Sequence, residues 1–333
     1  MPDLASPAPV TRPGSRPAWP GYLLVLTGAA CFVVNAGVSK VVLTAGVEPA
    51  QLTALRCTGT ALGLLLLLVA TGRTRGPGWW PTRRELPLLL GYGLVGVALL
   101  QWTYFVAIDR LPVGIALLLE YTAPVLIALW ARTVGREPVR PTVWLALALS
   151  LVGLAMVARV WDSGYLDALG VVAALAAAVC FATYFLLGER GVRDHDPLAL
   201  SFWGFAVAAV FWSLVRPPWE SFSGGIASTS APLLGALSGL PEVPVWILVL
   251  WVVLLGTLVP FAAGTAALQY LPATVVSVVA MTEPVGVTLL GWAWFGEALR
   301  PVQVVGAGVV LTAVVLGQLA RRAPREALPV PPA

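Results

Sequence analysis

Charge is what this sequence lacks. Lys, Arg, Asp and Glu make up 11% of its 333 residues, while 59% are hydrophobic. A soluble domain carries roughly 25% charged residues to hold a coat of water. The shortfall means that lipid replaces water around most of the surface. Histidine is nearly absent: His195 lies among Arg193, Asp194 and Asp196 and reads as a solvated loop residue, and one imidazole cannot build a zinc site. Cysteine is scarce too. Cys31, Cys57 and Cys180 sit in apolar runs without a C-x-x-C pair, so they read as small buried hydrophobes and no metal or cofactor is expected. There is no Walker motif, so any work done in the membrane draws on a gradient or on the substrate. The 28 prolines and 33 glycines do not make the chain disordered, because the apolar fraction is too high.

What is present is a series of long apolar runs. A span needs ~20 mostly apolar residues to cross ~30 Å of hydrocarbon. Gly21–Ser39, Cys57–Gly72 with its extension toward Ala50, Leu86–Ile108, Val113–Ala131, Thr142–Ala158, Ala168–Gly188 and Pro197–Val215 qualify. Val243–Thr282 is too long for one span and divides at Tyr270-Leu271-Pro272-Ala273. The ninth span then runs on to Phe295, and the tenth is Val302–Ala320. The fold class is therefore all-α and integral to the membrane, with ten transmembrane helices, since lipid admits only helices or closed barrels. Residues 1–20 read as a disordered tail and 321–333 as a second tail. With both termini in the cytoplasm, 14 of the 20 Lys and Arg residues fall on the inner side. This places the chain in the cytoplasmic membrane with its longest loop, Arg216–Glu242, outside; a short interfacial helix would fit there. The net charge of +4 follows from this topology and calls for no nucleic-acid partner.

The chain repeats itself. At a shift of 160, Ala107, Leu111, Pro112, Thr122, Pro124, Val125, Leu129, Glu137, Arg140 and Pro141 match Ala267, Leu271, Pro272, Thr282, Pro284, Val285, Leu289, Glu297, Arg300 and Pro301. Apolar bias alone would not align three prolines, a glutamate and an arginine. Gly21, Cys31 and Phe32 match Gly170, Cys180 and Phe181 at a shift of 149, and Glu48-Pro49 resembles Asp196-Pro197. The repeats span 21–158 and 167–320. Each holds five spans, an odd number, so the second copy enters the membrane upside down. Inverted repeats of this kind are a transporter design, because one packing read in both directions provides two access states. A membrane enzyme would instead need clustered ligands or a nucleophile and base, and none stands out.

The runs Leu111–Pro124 and Thr282–Glu297 resemble the two EamA motifs of the drug/metabolite transporter superfamily. Glu48-Pro49, Leu52 and Arg56 resemble the pattern at the start of that family's second span. The first run is similar to threonine/homoserine exporters of the RhtA type. The resemblance implies ten helices in inverted repeats and export of small metabolites such as amino acids. Multidrug or nucleotide-sugar carriage within the same superfamily is the alternative, and a homodimer is among the assemblies open to it. Arg56 faces Gly204 in the second copy, so any role of that arginine is not duplicated.

The candidate site residues follow from polarity at depth. Glu120 and Glu283 lie inside hydrocarbon, where a charge costs at least ~2.5 kcal/mol and so faces a cavity or a partner. Glu283 corresponds to Ala123, three residues from Glu120, so the carboxylates occupy equivalent helix faces about one turn apart. Pro124 and Pro284 follow as kink sites, each leaving a carbonyl four residues back without its helical donor. Binding or protonation is one reading of the glutamates; hydrogen-bonded packing is the other. Arg56 either binds a substrate carboxylate or snorkels to the outer interface. In the third span Gln101, Trp102 and Tyr104 line a cavity or join an aromatic belt. Tyr184 in the sixth span and Asn35 in the first are weaker candidates. Asp109-Arg110, Glu137-Arg140 and Glu297-Arg300 read as structural pairs.

Overall fold

The computed structural model describes residues 17–75, 79–136, 138–162, 166–216, 229–231, 242–295 and 300–322. Both proposed tails lie wholly or mostly outside these residues, as do Glu137, Glu297 and most of the long loop. The helices are α1 (Trp19–Thr44), α2 (Pro49–Ala70), α3 (Leu86–Arg110), α4 in two halves (Val113–Glu120 and Ala123–Thr133), α5 (Pro141–Ala158), α6 (Ala168–Gly191), α7 (Pro197–Val215), α8 (Val245–Ala267), α9 in two halves (Ala273–Ala280 and Glu283–Phe295) and α10 (Pro301–Arg322). Nine of them are long and apolar enough to cross a membrane among the described residues; α10 contributes the shorter apolar stretch Pro301–Gly317. The described ends of the long loop form a two-residue antiparallel pair, Ser230–Ala231 with Val243–Pro244.

Prolines set the helix starts. Pro49, Pro141, Pro197 and Pro301 open α2, α5, α7 and α10, in the first turn, where a missing N–H breaks no helical hydrogen bond. The acids before two of them cap the helices. Glu48 forms a capping box with Gln51, and Asp196 accepts from the amides of Leu198 and Ala199. These acids also tie α2 to α7. Glu48 pairs with Arg216 beyond the end of α7 (2.8 Å), and Asp196 pairs with Arg73 beyond the end of α2 (3.0 Å). The start of each helix meets the end of the other, so α2 and α7 run antiparallel.

Small residues set the closest approaches, and they do so in matched pairs. A Cβ on Gly21 would stand 2.7 Å from Leu271, and one on Gly170 would stand 2.8 Å from Leu111. Gly153 of α5 and Gly306 of α10 bring the two backbones together, so that a Cβ on either would meet the carbonyl oxygen of the other at 2.8 and 2.7 Å. The contacts α1 with α8 and α3 with α6 are matched in the same way, while α2 with α7 and α5 with α10 each join equivalent helices.

At the end of the bundle that holds the Arg73–Asp196 pair, His195 departs from its expected solvation. Its side chain is 8% exposed and its Nε2 lies 3.6 Å from Glu85 Oε1. The Thr82 amide, 2.6 Å from Glu85 Oε2, holds that carboxyl below the usual carboxylate range. Arg110 and Arg300 each reach an aspartate distant in sequence, while Glu137 and Glu297, expected partners of Arg140 and Arg300, lie outside the described residues. Arg110 pairs with Asp167 (3.7 Å), and Arg300 shares Asp162 with Arg159.

Replacing Gly153 with Leu drives a side chain into the α10 backbone. The expected cost is about 1–3 kcal/mol, read as a lower unfolding midpoint in detergent. Gly308→Ala, with nothing within 4 Å of the added carbon, is expected to stay within about 0.5 kcal/mol of the parent.

Candidate functional site

The site is built where regular helices fail. In α8 the turn Leu254–Leu258 is π-helical, and α3 has a π-helical stretch, Tyr92–Leu99, at the equivalent place. Such turns widen the backbone and cluster at functional sites. In α8 the Thr257 hydroxyl donates to the Val252 carbonyl at 2.7 Å. The same hydroxyl accepts from Arg56 Nε at 2.7 Å, and the Gly256 carbonyl accepts from Arg56 Nη2 at 3.2 Å. The guanidinium stands 5.1 Å from the centre of the Phe105 ring. Arg56 is 3% exposed, so it does not snorkel. Among the described residues its charge rests on neutral acceptors and a ring face. Gly256 is glycine for space: a Cβ there would overlap Asn35 Oδ1.

The second irregularity is the break in α4 and α9. Each helix tightens to three-residue hydrogen bonding at the same point. The Thr122 amide donates to the Leu119 carbonyl and the Thr282 amide to the Val279 carbonyl. Both threonine hydroxyls donate to those same carbonyls, at 2.7 and 2.9 Å. Pro124 and Pro284 take the second position of the helix that follows, where no N–H is needed. The breaks place Glu120 at the end of one segment and Glu283 at the start of another. The Tyr121 hydroxyl donates to Glu283 Oε2 at 2.7 Å and links the two broken helices.

These elements enclose a cavity of about 330 Å³. Arg56, Gln101, Tyr104, Glu120 and Glu283 all line it, together with Asn35 and Tyr121. The cavity occupies the second halves of α1 and α3 and reaches their ends at Thr44 and Asp109, both exposed. At the other end rings meet across helices: Phe32 with Phe261 (5.5 Å), Tyr121 with Phe181 (5.8 Å) and Tyr184 with Phe261 (5.4 Å). The site therefore offers one buried guanidinium, two carboxylates and several ring faces in one space.

Two expected site residues fall elsewhere. Trp102 is 40% exposed and packs against Trp212 on the flank of the bundle; it lies next to Gln101 in sequence and so points away from the face that Gln101 presents. Tyr184 is buried beyond the closed end. Its hydroxyl is 3.1 Å from Thr265 Oγ1, which is also 3.0 Å from the Tyr92 hydroxyl. Tyr121, Ser39, Lys40, Phe32, Phe181 and Phe261 line the cavity without having been expected there. Phe32 and Phe181 carried a signal, since they match each other in the repeat. Tyr121 lies beside Glu120 in the first family-like run.

The sequence profile described as the EamA-like transporter family matches residues 19–159 and again 168–317. The chain belongs to the EamA-like transporter family. The "Threonine/homoserine exporter RhtA" of Escherichia coli (strain K12) is 30% identical over 307 residues, covering 90% of this EamA-like transporter and 93% of that protein. An "Uncharacterized transporter" of Archaeoglobus fulgidus is 26% identical over 230 residues, 67% of this chain and 75% of its own. A solved crystal structure superposes with a TM-score of 0.68 at 21% identity, covering 91% of this EamA-like transporter and 98% of that chain. It has the same fold.

Cysteine labelling tests the cavity. Thr44→Cys at the mouth is expected to react with a water-soluble maleimide about tenfold or more faster than Ala178→Cys in the core. Equal rates would contradict an open cavity.

Proposed function

We propose that this protein is a secondary transporter that exports amino acids or related small metabolites across the cytoplasmic membrane by alternating access. The convergence of Arg56 with Glu120 and Glu283 on one cavity carries this reading. A zwitterion presents a carboxylate and an ammonium group. The guanidinium complements the first through charge-assisted hydrogen bonds, and the two carboxylates complement the second. The name of the E. coli relative supports amino-acid export. The cavity volume lies at the low end of the ~300–1,000 Å³ usual for small-molecule sites, which favours a small substrate over a nucleotide sugar.

The architecture is ten spans in two inverted halves, 21–158 and 167–320, with both termini in the cytoplasm. Antiparallel α2 and α7, the reciprocal glycine contacts and the matching breaks of α4 and α9 support the inversion. In this orientation the cavity opens outward, and the ring contacts close its cytoplasmic end. Coupling runs through a proton at Glu283, the carboxylate that already exchanges a hydrogen bond with Tyr121.

A second reading is export of lipophilic cations, favoured by the ring faces of Phe32, Tyr104, Phe181 and Phe261 in the cavity. It gives Arg56 no task.

Reconstitution into liposomes separates these outcomes. Amino-acid counterflow is expected in the parent and is expected to fall about 10²-fold in Arg56→Leu. Flux of a lipophilic cation without amino-acid flux would exclude the exporter reading. Glu283→Gln is expected to lose the pH dependence of transport. Unchanged flux with unchanged pH dependence would remove Glu283 as the coupling group.

A further inference from the structure

A second cavity, of about 370 Å³, lies behind the broken helices. It shares Ala36 and Lys40 of α1 with the first, and where Glu283 lines the first, Pro284, next in the chain, lines the second. The exporter reading makes no use of this space. Its rim is cationic. Lys40 stands one turn before the end of α1, and Arg159 follows directly on α5. Arg159 and Arg300 both bond to the same oxygen of Asp162, which also lines the cavity. Three cations and one acid thus stand at this rim among the described residues. The bonds to Asp162 spend Nε and Nη2 of Arg159 and Nη1 of Arg300, so both guanidinium groups keep donors for a further anion. Gln303 fixes the arrangement: its Nε2 donates to the Val157 carbonyl at 3.2 Å, and its Oε1 accepts from the Arg300 amide at 3.1 Å.

Most of the walls are apolar, with Leu117, Leu154, Val157, Val287 and Leu290 among them. A small inorganic anion would satisfy the rim and leave these walls wet. A plain hydrocarbon chain would cover the walls and leave the cations without an anion. An amphiphile with an anionic head meets both needs. Its source is at hand, because the cavity is built by membrane-spanning helices, and Leu289 and Trp292 on the same stretch of α9 are 48% and 55% exposed to the surrounding hydrocarbon. The other end of the bundle carries the opposite sign. Lys40 matches Glu189 at the shift of 149, and the Glu189 carboxylate accepts from the Ala273 amide at 3.1 Å. There the chain supplies its own anion, whereas at the end that holds Lys40 it supplies cations. We propose that the second cavity binds an anionic phospholipid, its phosphodiester held by Lys40, Arg159 and Arg300 and the start of an acyl chain laid against the walls of α5 and α9. The inference rests on the chain lying in a membrane and not on what it transports.

The test titrates the full chain in detergent with phosphatidylglycerol and with phosphatidylcholine of the same acyl chains, and counts bound lipid by native mass spectrometry. Phosphatidylglycerol is expected to bind about tenfold or more tightly. Lys40→Gln combined with Arg159→Asn, a residue that accepts the positive φ of 52° at 159, is expected to bring the ratio below about threefold. Arg190→Gln combined with Arg193→Gln removes the same charge at the other end and is expected to leave the ratio unchanged. Unfolding midpoints without added lipid check that both variants are folded. A phosphatidylglycerol with a photoreactive acyl chain needs no variant, and its adducts on the parent are expected within residues 154–158 or 287–290. Equal affinity for the two lipids, an equal loss in both double variants, or adducts wholly outside those segments overturns the proposal. So does displacement of phosphatidylglycerol by an equal concentration of inorganic phosphate, which would make the site one for free anions.

Discussion

A charge placed in hydrocarbon has to be matched, hydrated or moved to the interface. Arg56, Glu120 and Glu283 share one solution, a cavity that admits water, and much of the bundle is arranged to make that solution hold. The guanidinium is fastened first. Its seat needs a widened turn in α8 to offer the Gly256 carbonyl and the Thr257 hydroxyl together. The turn needs glycine at 256 because Asn35 presses against it from α1. The close approach of α1, α2 and α8 thus follows from the need to hold one arginine. The carboxylates are exposed to the same space by a different device, two helices broken beside them.

The frame is matched between the halves, but its chemistry is not. Arg56 stands opposite Gly204, Asn35 opposite Tyr184 and Gln101 opposite Phe261. Tyr92 of the first half packs where Gly204 of the second leaves room, and its hydroxyl meets Thr265 and lies near Tyr184. Both halves build the polar cavity, Arg56 and Glu120 from the first and Glu283 from the second, and both meet again in a small hydroxyl network. Under the proposed alternating access, a packing that can be read in either direction supplies the two access states.

Much of the frame was legible in the sequence because it rests on backbone economy. Pro49, Pro141, Pro197 and Pro301 announce helix starts, Pro124 and Pro284 mark the breaks, and the repeat pairs Gly21 with Gly170 just where the two helices meet Leu271 and Leu111. Hydrocarbon permits few alternatives, so pattern and structure agree to within a few residues. The site was legible where charge had to be explained: Arg56, Glu120 and Glu283 converge. It was less legible for side chains that are affordable at any depth. Trp102 and Tyr184 have the polarity of cavity residues, yet a tryptophan is stable against lipid and a tyrosine is stable in a core when its hydroxyl is bonded. Whether such a residue faces the cavity depends on helix rotation. The π-helical stretch of α3 resets that rotation just before Gln101, and no composition rule announces it.

The hydrogen bond from Tyr121 to Glu283 connects the chemistry of the cavity to its closed end. It joins the two broken helices, and Tyr121 also packs edge-on against Phe181 among the rings that shut the floor. A substrate ammonium that approaches Glu283 competes with the Tyr121 hydroxyl for the same carboxylate, and so does a proton. Either one weakens a side-chain hydrogen bond that joins α4 to α9. A ligand shifts a conformational equilibrium only through contacts that differ between the states. Under the exporter reading, Glu283 supplies such a difference: it holds the floor closed when empty and releases its tie when occupied. That the carboxylate best placed to take a cation is also the one that fastens the floor gives occupancy a direct physical route to opening.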